Sequence, residues 1–142
     1  MKRKRRTGLR IRGGGIHREV RAAVINFAKW LRRETDFPIR VPVYLSNQEM
    51  ITGRNGKTCS ALFFAPDDKT EEPFIRVSTG DYFAEKRKRG RNNALAGILC
   101  SVAHEIVHYN QWCRGQDLNE RGVTRKAVRM VEAYAYEVKS PI

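Results

Sequence analysis

The sequence predicts an α+β fold: a single domain in which one helix, three short strands and two further helices follow in chain order. Three observations carry this. Residues 17–36 set apolar side chains at helical spacing. Three apolar or alternating runs between residues 37 and 80 are separated by Pro, Gly and Asn. Residues 92–115 and 123–139 return to helical spacing.

Taken in order, residues 1–15 are expected to be a disordered basic arm closing on Gly13–Gly15, with the domain proper over residues 16–142. In the first helix Val20, Val24, Phe27 and Leu31 recur at steps of four, three and four, with Ala23 and Trp30 beside them, which makes one apolar face. Pro38 and Pro42 then forbid helix, while Ile39, Val41, Val43 and Leu45 alternate. This is a strand, and its prolines suggest an edge. Asn55-Gly56 marks a turn. Residues 59–66 form a buried strand and residues 74–80 a third, giving a small three-stranded antiparallel sheet; the charged residues up to Arg91 are expected as a loop. Asn92 or Asn93 caps the long helix and Gly115 ends it.

With 142 residues and 41% hydrophobic composition, the chain is long enough for one real core. No apolar run approaches the roughly 18 residues of a membrane span, and no apolar segment follows the basic N-terminus as in a secretory signal. Three cysteines, Cys59, Cys100 and Cys113, sit at no ligand-like spacing and are expected as reduced thiols. The expected location is cytoplasmic.

The net charge of +13 is uneven. Seven Lys/Arg fall in residues 1–12 and five in residues 86–91, while the remainder carries 16 basic against 15 acidic residues. Such blocks attract nucleic acid or an anionic surface. No aromatics are interleaved, so base stacking is not indicated.

Chemistry concentrates in "HEIVH". His104 and His108 are four residues apart, hence neighbours on one helical face, and both imidazoles can address one ion. Glu105 lies about 100° round the helix from His104. It is badly set to be a third ligand from that turn, but it can reach a water on the ion's open side and act as general base. A catalytic zinc site wants a third protein ligand. His17 is far upstream, and no histidine follows His108. The downstream carboxylates are Asp117 and Glu120, in a polar turn where solvation or capping is expected, and Glu132 and Glu137, on the last helix. The helical wheel leaves Glu132 and Glu137 open, with a lean towards Glu132.

These residues resemble a family. "HEIVH" followed on a later helix by Glu132-Ala133 is similar to the gluzincin class of zinc metallopeptidases, and size and element order resemble the compact minigluzincins. The likeness spans residues 37–139 in layout but rests as motif on residues 104–108 and 132–133. It implies a compact zincin-like domain with an N-terminal helix, a small three-stranded sheet, an HExxH helix and a C-terminal glutamate helix. It further implies Zn2+ held by His104, His108 and Glu132, Glu105 as base, and peptide-bond hydrolysis, with an endopeptidase the expected form. A sheet edge would align the peptide or protein substrate, with residues 74–79 as the candidate. Many relatives carry an acid four residues after the ligand glutamate, where this chain has Tyr136, so Glu137 stays open as ligand. Tyr136 becomes a candidate oxyanion donor, beside Tyr82, Tyr109 and Tyr134. The alternative function is a nucleic-acid-associated protein acting through residues 2–12 and 86–91, its zinc site structural or serving DNA-bound protein substrates.

Overall fold

A computed structural model describes residues 6–53 and 55–138. The chain runs β1 (Leu9–Arg12), α1 (Arg18–Glu34), β2 (Val41–Ser46), β3 (Ile51–Thr52), β4 (Thr58–Cys59), β5 (Ala61–Phe64), β6 (Phe74–Ser78), α2 (Tyr82–Arg89), α3 (Arg91–Cys113) and α4 (Val123–Val138). The mixture of helices with small sheets is the expected α+β composition.

The sheet departs from expectation in strand number, direction and order. It has four strands in the order β1-β2-β6-β5. The first three are parallel, and only β5 runs antiparallel, against β6. The added strand comes from the arm expected over residues 1–15. Leu9 and Ile11 alternate with Arg10 and Arg12, and Leu9 is fully buried. The cationic density of the segment masks this period-2 pattern. Arg32 on α1 donates to the Leu9 carbonyl (2.8 Å) and fastens the strand from behind. Residues 1–5 of the expected arm, and the C-terminal residues 139–142, lie outside the described residues.

Gly13 makes the turn out of β1. It has φ 131°, and a Cβ there would run into the Leu45 carbonyl, so the chain needs glycine to pass β2 and enter α1.

β2 is an interior strand rather than an edge. Val41 N donates to Gly8 O (2.9 Å), so odd-numbered residues of β2 turn their N–H towards β1 and even-numbered ones towards β6. Pairing with β6 begins only at Val43↔Ile75. The N–H that Pro42 lacks therefore falls before that ladder starts, and the proline costs it no hydrogen bond.

One face of the sheet is covered. Leu9, Val41, Val43, Leu45, Ile75 and Val77 point inward, and Tyr44 and Arg76 point out. Helices α1 and α3 lie on the sheet and touch each other, closing one core. On α3 the Tyr109 hydroxyl accepts from Ile39 N (3.1 Å) and donates to Ile39 O, and Trp112 Nε1 donates to Pro66 O (3.1 Å). These bonds fix the rotation of α3 about its axis and so decide which face its histidines present. The Asn55-Gly56 turn forms as expected, joining β3 to β4, with Gly56 at φ 77°.

Residues 82–89, expected as loop, form α2. Its lone buried side chain is Tyr82, so apolar periodicity gives no sign of it. Gly90, at φ 89°, ends α2 and starts α3, in place of a cap from Asn92 or Asn93. Gly115 follows the end of α3 at φ 71°, in the expected stop position. No described helix is long and apolar enough to cross a membrane.

Candidate metal centre and cleft

Helix α3 runs unbroken through the motif, and the i, i+4 spacing sets the two imidazoles side by side, their centroids 5.1 Å apart. Both Nε2 atoms turn to one carboxylate. His104 Nε2 lies 3.0 Å from Glu120 Oε2, and His108 Nε2 lies 2.8 Å from Glu120 Oε1. His104, His108 and Glu120 are the group of ligand-type side chains among the described residues that can hold a metal ion, their donor atoms lying within 4.8 Å of one another. Two imidazole nitrogens and a carboxylate oxygen suit a borderline divalent ion.

Glu120 reaches the histidines because the loop after α3 turns back. Gly115 (φ 71°) and Gly122 (φ 73°) bracket it, both in a backbone region open to glycine. Between them residue 120 returns beside the last turns of α3. The turn position that suggested a solvated or capping role in the sequence is what delivers the side chain. A paired Gly signal between two helices is the trace a sequence carries of such a return, but it does not say which loop carboxylate faces inward.

The carboxylates on α4 go elsewhere. Glu132 is exposed and stands near Cys100, one turn before His104. Burial first, and then the Glu132 charge, hold the Cys100 thiol above its ordinary pKa. Glu137 faces α1, where it accepts from Trp30 Nε1 and lies 3.7 Å from Arg33 Nη2. Neither joins the histidine group; Glu120 holds the position expected for Glu132. Helix α4 buries Val123, Ala127, Val131 and Tyr134; Glu132, four residues after the cleft-lining Val128, stands at the Cys100 side of the cleft and not with the histidine pair.

Glu105 is buried, and its carboxyl is pushed up to about 7. Loss of hydration is the main cause. The nearby Glu120 charge adds to it, and His108 acts in the opposite direction. Glu105 and His104 both line an open cleft of ≈ 250 Å³ together with Ser60, Ala61, Cys100, Ser101, Thr124, Ala127 and Val128. Apart from the motif residues this lining is small and uncharged.

None of the candidate oxyanion tyrosines lines the cleft. Tyr136 is 88% exposed, Tyr109 is bonded to Ile39, Tyr134 packs on Phe27 and Trp30, and Tyr82 packs beside His17. His17 accepts from Glu19 N (3.1 Å) as the cap of α1, away from the motif.

The strand expected to align a substrate, β6, is paired on both sides and has no free edge. The open edge beside the cleft belongs to β5, whose first residue, Ala61, is part of the lining.

The basic run over residues 86–91, which spans α2 and the start of α3, is partly neutralised. Lys86 and Arg91 bond to Glu19 (3.1 and 2.5 Å), and Arg89 bonds to Glu85 (2.7 Å). The three cysteines are free thiols. Set against protein-family models, curated proteins and solved structures, the chain matches none of them.

Proposed function

We propose that the chain is a zinc-dependent peptidase of zincin-like fold in which His104, His108 and Glu120 hold the ion and Glu105 is the general base. The observation that carries this is the convergence of both histidine Nε2 atoms on one carboxylate, next to a buried glutamate at the floor of a cleft. Zinc in such a site supplies Lewis acidity towards a carbonyl and towards water. The chain's own residues do the rest. The Glu105 carboxylate faces the cleft and takes a proton from the attacking water, then returns it to the leaving amine.

The free edge of β5 orients the substrate backbone. Ser78 N donates to Ser60 O (2.8 Å), so residues 60, 62 and 64 turn towards β6, and Ala61 and Phe63 present their N–H and C=O to the open side. An extended peptide adds there as a further strand, its scissile bond over Glu105. The third ligand, in the loop between α3 and α4, departs from the gluzincin pattern of a glutamate on the last helix; the His-Glu-His half of that likeness is what the proposal keeps.

The test is metal content together with hydrolysis of a peptide library by the wild-type chain and Glu105→Gln. Zinc retained in both, with cleavage lowered about 10²–10⁴-fold in the variant, is expected. Full activity in Glu105→Gln would remove the mechanism.

A further inference from the structure

One turn beyond His108, Gln111 makes contacts to two parts of the site at once. Its Oε1 lies 2.9 Å from His108 Nδ1. Its Nε2 donates to Asn119 O (3.2 Å), and its Oε1 accepts from Asn119 N (3.4 Å). Asn119 immediately precedes Glu120, and its own Oδ1 accepts from Arg121 N (3.1 Å), so the backbone on both sides of Glu120 is held.

The two contacts to Asn119 decide which way the Gln111 amide points. Turned over, its nitrogen would meet the Asn119 N–H and its oxygen the Asn119 carbonyl, pairing donor with donor and acceptor with acceptor. With the oxygen fixed towards His108, Nδ1 must carry the proton. The lone pair of a neutral His108 then sits on Nε2, 2.8 Å from a carboxylate oxygen that also only accepts. Two acceptors that close require either a proton shared between ring and carboxyl or a cation that both atoms address from one side, the pair opening slightly to take it.

We propose that Gln111 is a positioning residue for the metal centre: it fixes His108 as an Nε2 ligand and, through Asn119, ties the Glu120 loop to the same ring. This rests on the zinc reading of the site. The two functions of Gln111 are separable by substitution. Gln111→Ala loses both. Gln111→Glu keeps an acceptor for Nδ1–H but has no donor for the Asn119 carbonyl.

The experiment is zinc affinity by chelator competition for the full chain and both variants. It is joined by nitrogen spectra of the His108 ring in the zinc-loaded protein and amide exchange over residues 114–122. The expected result for Gln111→Ala is affinity weaker by about 10–100-fold, a His108 Nδ1 proton that exchanges readily with solvent, and faster loop exchange. Gln111→Glu is expected to restore the slow Nδ1 proton but not the loop protection. Wild-type zinc binding with an unchanged affinity in Gln111→Ala overturns the role of Gln111 alone. A wild-type chain that takes up no zinc overturns the zinc reading itself.

Discussion

His108 Nε2 lies 2.8 Å from Glu120 Oε1, across a loop that leaves α3 at Gly115 and re-enters helix after Gly122. The contact joins a buried ring to a carboxylate that is 74% exposed. The histidine pair is thus built into a helix of the core, and the third member of the group is carried by a surface loop whose residues 114–122 are all exposed. Metal binding at the proposed site would add ligand bonds to a loop that packing holds only lightly.

The edge strand β5 yields a prediction about substrate binding. Ala61→Pro removes the outward N–H at residue 61 while leaving the bonds of Ser60 and Leu62 towards β6 intact. Loss of one backbone hydrogen bond to a peptide is worth about 0.5–1.5 kcal/mol, or roughly two- to tenfold in kcat/KM. Zinc content should not change. Steady-state kinetics with metal analysis checks both, and unchanged kinetics would move the substrate off this edge.

The strand β1 yields a stability prediction. Leu9 is fully buried among the residues of the common core. Leu9→Ala should lower unfolding stability by about 2–5 kcal/mol, read by urea denaturation. A solvated arm would tolerate the same change with almost no effect.

Glu19 gives a prediction in pH. Side-chain bonds from Arg91 and then Lys86 bring its carboxyl down from 4.5 to about 2. A depressed folded-state pKa adds stability above the unfolded value, and that stability is lost as pH falls from about 4.5 through about 2. Glu19→Gln should therefore flatten the stability profile across that acid window and leave its slope near neutrality unchanged. Denaturant melts at stepped pH measure it, and an identical acid limb in both proteins would contradict the role given to the Glu19 cluster.

Much of the architecture was legible because it follows periodicity. Val20, Val24, Phe27 and Leu31 announce α1, and the alternation of residues 39–45 announces β2. The pair His104 and His108 is legible because helical geometry alone makes i and i+4 neighbours. What was not legible depends on tertiary context. Leu9 and Ile11 look like two apolar residues in a cationic tail until β2 offers an edge to pair with. Helix α2 buries only Tyr82, so no stripe marks it. Glu120 and Glu132 differ in placement because a nine-residue return, 114–122, brings Glu120 to the histidine pair, while α4 carries Glu132 to the Cys100 side of the cleft. No local pattern distinguishes those two carboxylates.

The most direct measurement is zinc stoichiometry by elemental analysis of the wild-type chain, Glu120→Gln and Glu132→Gln after dialysis against a weak chelator. About one zinc per chain is expected in wild type and in Glu132→Gln, with most of it lost in Glu120→Gln. Zinc retained by Glu120→Gln but lost from Glu132→Gln would contradict the assignment of Glu120.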